Sequence, residues 1–393
     1  MIINTKDLLT RGVKEIKVKE NLEKALASGK HLRVKLGLDP NIPDLHLGHA
    51  FNLRKLRAFQ DLGHTAVLII GDYTATIGDP SGKDKSREVL DATTTRANGK
   101  LFLEQIFKIL DQSKTEVRSN SEWFSKMVFL EILDLASKIS MEHILSHETF
   151  RQRILKHQPF FLHETFYPLM QGYDSVMVRA DVELGALEQK FNLLTGRRLQ
   201  RAFGQKEQDV LMTDYLLGLD GKEKMSKSLG NFISLRDSAT EMFGKIMSIP
   251  DSSICHYFEM CTDMSESEIK EFGKQIKAGE GKAVKIKLAH QITKIYHSAG
   301  KASQAEQEFK AVFSQNQVPD KIDEHSFGAK KISVVGALIE SGMVKSRSEA
   351  RRLIEQGGVK VDSAKVGDEN LVINLSKPKV LQIGKRRFLR ISK

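Results

Sequence analysis

The chain has 393 residues, of which 40% are hydrophobic and 28% charged, and a formal net charge of +11. That length exceeds one ordinary core and predicts two or three domains, while the balanced composition excludes disordered and fibrous classes. The opening Met1-Ile2-Ile3-Asn4-Thr5-Lys6-Asp7 lacks the basic-then-apolar run of a signal peptide, and no stretch approaches the roughly 20 apolar residues of a membrane span. A soluble, cytoplasmic protein with no membrane partner is expected.

In chain order, Leu32-Arg33-Val34-Lys35-Leu36-Gly37-Leu38 predicts a strand. After the Asp39-Pro40 turn, Leu47, Ala50, Leu53, Leu56 and Leu62 recur at helical spacing. Thr65 to Ile70 is then a continuous apolar run ended by Gly71, the pattern of a strand covered on both faces. Strand, helix and strand in close succession form a βαβ unit, so the class is α/β with a parallel sheet. A helical insertion is expected over about 120–157, before the alternation resumes near Val176. From Ser234 to Val312, spacings such as Ile269, Phe272, Ile276 and Val284, Leu288, Ile292 predict an all-helical domain, assigned to 233–318. Its Cys255 and Cys261 read as free thiols of a reducing compartment, and C-x5-C without further ligands is no metal site. The polar segment Gln315 to Ser326, with Pro319, reads as a linker. A small α+β module follows over 328–393, with helices from Ser333 and Ser346 and strands at Lys360-Val361 and Val380 to Ile383. It carries 15 Lys/Arg against 6 Asp/Glu, so the longer remainder is near neutral and a polyanion is the expected partner of the tail.

Two motifs carry chemistry. Leu45-His46-Leu47-Gly48-His49 stands where a helix should begin, and a helix N-terminus offers free N–H groups and a positive dipole end to phosphate. His46 and His49 can donate to charge developing as pyrophosphate leaves, and Gly48 leaves room beside the backbone. The bland alternative is a pair of solvated or capping histidines. Lys224-Met225-Ser226-Lys227-Ser228 lies in a loop bracketed by Gly221 and Gly230, where two mobile lysines can close over a triphosphate. Losing one preorganised donor of this kind typically costs about 2.7–4 kcal/mol of barrier. Gly78-Asp79-Pro80-Ser81-Gly82-Lys83 imitates a phosphate-binding loop, but its spacing is one short and Asp84 stands where Ser or Thr is needed. No G-x-G-x-x-G follows the first strand, so no dinucleotide cofactor is indicated.

This motif pair resembles the signature of the class I aminoacyl-tRNA synthetases, and essentially the whole chain resembles the bacterial tyrosyl-tRNA synthetase family. The supporting stretches are Gly37-Leu38-Asp39-Pro40, Ile77 to Lys83, Tyr167-Pro168-Leu169-Met170-Gln171-Gly172-Tyr173-Asp174 and Gln189-Lys190-Phe191-Asn192. Ser346 to Ile354 with Gly357-Gly358-Val359 resembles an S4-type RNA-binding core. The resemblance implies a Rossmann-like catalytic domain over 1–232 with its lysine loop at 221–231, a helical domain contacting the anticodon arm, and an S4-like domain. It implies L-tyrosine, ATP with Mg2+ as co-substrate, and tRNA(Tyr) as partners, a homodimer, and no tightly bound cofactor.

The family pattern further implies that Asp79, Tyr167 and Gln171 hold the substrate ammonium and that Asp174 accepts the phenol. Tyr167, Gln171 and Asp174 stand four and three apart, which lines one helical face. By the same resemblance Gln189 lies near the substrate carboxylate and Glu188 on the ribose. Asn41, Lys83, Arg87, Gly48 and Ser228 would serve ATP, and Arg347, Arg351, Arg352 and Lys360 would serve RNA. The chain departs from the family at Gly185-Ala186-Leu187-Glu188-Gln189, at Asn41-Ile42, and in lacking a tyrosine near Lys35. A synthetase for another aromatic residue and a catalytically silent RNA-binding paralogue are the alternatives at this point.

Overall fold

The computed structural model describes residues 5–81, 92–314, 322–344, 346–384 and 387–393. They form two compact units, 1–299 and 300–393. In the first unit the strands are β1 (Val13–Lys17), β2 (Arg33–Leu38), β3 (Thr65–Ile70), β4 (Thr115–Ser119), β5 (Val182–Ala186) and β6 (Asp209–Thr213). They assemble in the order β1-β6-β5-β2-β3-β4. β2 to β6 are parallel and β1 closes one edge antiparallel to β6. Of the inner strands β3 carries the continuous apolar run expected of a strand covered on both faces and is buried along nearly its whole length. The edge strands β1 and β4 are charged and half-exposed, so their sequences carry no comparable apolar signal.

The order of connection reverses between β2 and β5. In open parallel sheets the crevice beyond the carboxyl ends at such a reversal is where ligands bind. Helix Leu47–Asp61 links β2 to β3 and buries Leu47, Ala50, Leu53, Leu56 and Phe59. Helices Leu162–Met177 and Lys190–Ala202 flank β5 on either side in sequence. The insertion is helical, with segments Ser121–Phe124, Phe129–Ser137, Met141–Leu145 and Glu148–Leu155. Its Trp123, Phe124, Leu135 and Phe150 pack in one core with Val67, Ile69, Leu169 and Met170. Beyond β6 come helices Ala239–Ile246, Ile254–Cys261, Glu266–Gln275 and Gly281–Tyr296. The Arg11 guanidinium donates to the carbonyls of Phe258, Glu259 and Met264 at 2.9, 2.7 and 2.7 Å, tying the N-terminal segment to the end of helix Ile254–Cys261 and the turn after it. Both cysteines are free, and burial pushes the Cys261 thiol up to about 12.

In the second unit β7 (Asp323–Ser326), β9 (Val359–Val361), β10 (Ala364–Lys365), β12 (Lys379–Ile383) and β13 (Arg387–Ser392) form a five-stranded sheet. β8 (Lys331–Ser333) pairs with β11 (Val372–Asn374). Helices Val334–Glu340 and Arg347–Glu355 pack Val334, Ala337, Leu338, Ala350 and Ile354 against Val359, Leu381 and Ile391. The segment read as linker through Ser326 is corrected here: its last four residues are β7, parallel to β13. An edge strand can take its stability from backbone pairing, and the polar Asp-Glu-His-Ser run left no apolar alternation to read. Among the described residues no helix is long and apolar enough to cross a membrane.

Candidate active site

His46 is the N-cap of helix Leu47–Asp61, its Nδ1 accepting from the Gly48 amide at 3.2 Å. His49 Nδ1 accepts from the His46 amide, also at 3.2 Å, and the two ring centroids lie 3.9 Å apart. Because both Nδ1 atoms accept, each neutral ring carries its proton on Nε2. Burial, then His49, Lys224 and Lys227, drive His46 far below the ordinary imidazole range; burial and the same two lysines bring His49 down to about 4. Both imidazoles are therefore neutral N–H donors at pH 7. The capping alternative is thus realised without occupying either Nε2. A Cβ on residue 48 would lie 3.0 Å from His46 Cε1 and press on the capping ring, which Gly48 leaves undisturbed.

The lysine loop is tied to this helix start. The Leu47 amide donates to Ile233 O at 3.1 Å and the Leu235 amide to Leu45 O at 2.9 Å, a short antiparallel pairing of segments distant in sequence. Gly221 and Gly230 both take φ of 66°, the left-handed region that glycine tolerates. Just beyond Gly230, Asn231 braces the loop, accepting from the Ser226 amide at 2.8 Å and donating to Asp220 at 2.7 Å and Lys224 O at 3.2 Å. The two lysines are held by carboxylates: Lys224 by Glu188, and Lys227 by Asp44 at 2.5 Å. Arg236 also reaches Asp44 at 2.9 Å, and although burial opposes it, these cations hold Asp44 below its usual value. The Ser228 and Ser226 hydroxyls are bonded at 2.7 Å.

A second cluster gathers from the carboxyl ends of four strands and from helix Leu162–Met177. Asp39, after β2, accepts from Tyr167 Oη at 2.9 Å and from Thr74 Oγ1 at 2.8 Å. Asn120, after β4, donates to Thr74 Oγ1 at 3.0 Å and to Asp174 at 3.3 Å. Trp123 Nε1 donates to the other Asp174 oxygen at 3.0 Å. Burial pushes the Asp174 carboxyl up to about 7, against the pull of nearby Lys35 and these two donors. After β5, Gln189 donates to Asp79 at 2.7 Å, and Asp79 also accepts from the Ser81 amide at 2.9 Å. Asn192 supports this pair, donating to Gln189 Oε1 at 3.0 Å and Ser81 Oγ at 3.3 Å. Gln171 Oε1 is buried with no hydrogen-bond partner. An orphaned buried carbonyl costs about 1–3 kcal/mol, so it marks a place prepared for a donor.

Neighbouring residues Glu188 and Gln189 reach into one cluster each, joining a donor-lined half to an acceptor-lined half. Asn41 sits on the turn after β2, its amide bonded to Asp39 O at 2.8 Å. Lys83 and Arg87 lie outside the described residues. Arg347, Arg351 and Arg352 are exposed on helix Arg347–Glu355 of the other unit, Arg351 paired with Glu369 at 2.7 Å, and Lys360 is on β9. Sequence reasoning missed Asp39, Asp44, Asn120, Trp123, Asn192 and Asn231 as parts of the site. Two had a signal: Asp39 ends the first strand of a βαβ unit, and Trp123 is the chain's one tryptophan.

An adenylate-forming arrangement on a parallel sheet, with the histidine motif pinned to the lysine loop, defines a class. The profile of "tRNA synthetases class I (W and Y)" matches residues 27–314, and that of the S4 domain matches 337–375. The chain belongs to this class I synthetase family. Its relatives include a Moorella thermoacetica protein named tyrosine–tRNA ligase, 45% identical over 98% of this chain and 94% of its own length. One of the same name from Carboxydothermus hydrogenoformans is 47% identical, over 98% and 97%. Among solved structures, a C-terminally truncated mitochondrial tyrosyl-tRNA synthetase of Aspergillus nidulans aligns over 78% of this chain and 93% of its own, with TM-score 0.65 and 22% identity. Archaeoglobus fulgidus tyrosyl-tRNA synthetase complexed with L-tyrosine aligns over 76% and 98%, with TM-score 0.61 and 20% identity. At these identities the structural likeness speaks for the fold.

Proposed function

We propose that the chain is a tyrosine–tRNA ligase that adenylates L-tyrosine with ATP and transfers it to the 3′ end of tRNA(Tyr). The observation that carries this reading is the joining of His46, His49, Lys224 and Lys227 to an acceptor-lined pocket containing a buried carboxylate, Asp174.

The tyrosine carboxylate attacks the α-phosphorus of ATP in line, with Mg2+ entering as part of the co-substrate, and pyrophosphate leaves. No protein base is required, because the nucleophile is already ionised; the rate comes from positioning and charge stabilisation. His46 and His49, neutral with Nε2–H outward, donate to the developing charge, and Lys224 and Lys227 transfer from their carboxylates to the phosphates. Asn41, Gly48 and Ser228 line the nucleotide, and Glu188 takes the ribose. Lys83 and Arg87 join them at the phosphates or the acceptor end. Asp79, Tyr167 and Gln171 hold the ammonium, Gln189 lies near the carboxylate, and Asp174 accepts the phenol. The ribose hydroxyl of the tRNA end then attacks the mixed anhydride and AMP departs. Residues 233–318 contact the anticodon arm, and Arg347, Arg351, Arg352 and Lys360 neutralise RNA phosphates.

A cytoplasmic homodimer completes the reading. Its support is the exposed apolar run of the insertion, where Leu130, Phe129 and Val128 are 75, 71 and 61% exposed, a patch that marks a protein contact. ATP–pyrophosphate exchange with tyrosine, phenylalanine, tryptophan and no amino acid tests the assignment. Exchange with tyrosine alone, followed by charging of tRNA(Tyr), is expected; folded protein that binds tRNA yet exchanges with nothing would overturn it.

A further inference from the structure

Lys35 stands in the middle of β2, fully buried, facing Glu183 across the β2–β5 pairing. Its ammonium makes three short contacts, one for each proton: Glu183 Oε1, Ser175 Oγ and the main-chain carbonyl of Gln171, all at 2.8 Å. Ser175 passes the contact on, donating to Glu183 Oε2 at 2.9 Å, and Gln208 donates to the same oxygen. The pair is thus saturated, as buried charges must be to survive.

The placement of those contacts is what gives Lys35 a role beyond cohesion. Gln171 and Ser175 are one turn apart on helix Leu162–Met177, and Asp174 lies between them. One turn earlier the helix contains Pro168, which has no N–H to give the Glu164 carbonyl, so the ladder is broken just before this turn. The turn therefore takes its position from outside, and Lys35 is the group that grips it at both ends. Lys35 also draws the buried Asp174 carboxyl downward more than either of its hydrogen-bond donors does, with Glu183 opposing.

We propose that Lys35, locked by Glu183, is a positioning residue for the tyrosine pocket: it fixes the turn that carries Gln171 and Asp174 and thereby sets the preference for tyrosine over phenylalanine. The inference rests on the assignment of Gln171 and Asp174 to that pocket. It concerns a group that touches neither substrate nor nucleotide in the proposed site.

Three variants of the full-length protein are compared with wild type by pyrophosphate exchange with tyrosine and phenylalanine, ATP KM and thermal melting. Lys35→Met alone strands Glu183 and should lower Tm by roughly 10 °C. The double variant Lys35→Met/Glu183→Gln removes both charges while leaving Ser175 and Gln208 an acceptor, and should melt within a few degrees of wild type. Its tyrosine kcat/KM should still be roughly 100-fold down, because a shift of about 1 Å at a binding turn is enough for that. The loss should appear in tyrosine KM; phenylalanine, which shares the ammonium contact to Gln171 but has no hydroxyl for Asp174, should lose severalfold less, and ATP KM should be little changed. Ser175→Ala removes the hydroxyl's bonds to Lys35 and Glu183 while keeping both charges, and a severalfold rise in tyrosine KM is expected. A double variant that recovers both Tm and tyrosine preference, or a Ser175→Ala enzyme with wild-type tyrosine KM, would overturn the proposal and leave Lys35 purely structural. Asp174→Asn separates the two levels: if it keeps the tyrosine preference, the pocket assignment fails and takes the Lys35 role with it. If Asp174→Asn loses the preference and the Lys35 variants do not, only the Lys35 role fails.

Discussion

Replacing Asp174 by Asn tests the pocket most directly. The carboxylate is buried, receives Trp123 Nε1 and Asn120 Nδ2, and is pushed up to about 7. A phenol donating to it forms a hydrogen bond to a charged acceptor, worth about 1.5–3 kcal/mol. Losing the charge should therefore lower tyrosine kcat/KM by roughly 10- to 150-fold. Phenylalanine kcat/KM should stay within about threefold, because that substrate has no hydroxyl to lose. A preference of roughly 10^4–10^5 is the value known for tyrosine-activating synthetases as a class. The pH dependence adds a second readout. Below about 7 the free-enzyme carboxyl takes up a proton and ceases to be an anionic acceptor, so tyrosine kcat/KM should fall toward tenfold per pH unit on that limb. Lys35 opposes the upward shift and Glu183 reinforces it, so both face the titrating group. The Asn enzyme, and wild type with phenylalanine, should lack the limb. Stability runs the opposite way. A carboxyl raised from 3.8 favours the folded state below about 4, and that contribution disappears as pH rises through about 7, on the order of 4 kcal/mol at most. The assay is pyrophosphate exchange from pH 5.5 to 8.5, with urea melts at each pH. Equal losses for tyrosine and phenylalanine, or a limb that survives in the Asn enzyme, would refute the reasoning.

Asn231→Ala removes three hydrogen bonds from the base of the lysine loop, each worth about 1 kcal/mol net. Adenylation kcat should drop at least tenfold with tyrosine KM unchanged, and the loop should be cut faster by trypsin. Asp44→Ala frees Lys227 and Arg236 from their shared carboxylate, so ATP KM should fall severalfold in low salt and less at 0.5 M NaCl. Since His49 is held at about 4, kcat for exchange should show no imidazole inflection between pH 6 and 8. An inflection near 6.5 that vanishes in His49→Asn would contradict the neutral-donor role. Ending the chain at residue 314 removes the basic second core while keeping the sheet and its site, so exchange should persist within about twofold while charging of tRNA falls by orders of magnitude.

The parallel core was legible because Thr65 to Ile70 is apolar at every buried position, and the motif histidines because their spacing is tied to a helix start. Edge strands were not: β1 and β7 owe their pairing to backbone bonds, which leave no residue-type pattern. The same holds for the residues that hold the site together. Asp39 follows β2 whereas Asn120 and Trp123 follow β4, and they gather around Thr74 and Asp174 only once β2, β3 and β4 lie side by side. Lys35 shows the limit most clearly. In the sequence it stood out only as the absence of a tyrosine, whereas its three partners, at positions 171, 175 and 183, turn that absence into a buried charge with a geometry of its own.

The ion pair between Lys224 and Glu188 imposes an order on events. In the proposed site the ribose of ATP and the lysine ammonium compete for one carboxylate. An arriving nucleotide evicts the lysine, and the evicted lysine finds the triphosphate that displaced it. The substrate thus carries its own trigger: an empty enzyme keeps this cation sequestered from stray phosphates, and the departure of AMP gives the carboxylate back to the lysine. Arming and resetting are then two halves of a single exchange, repeated once in every turnover.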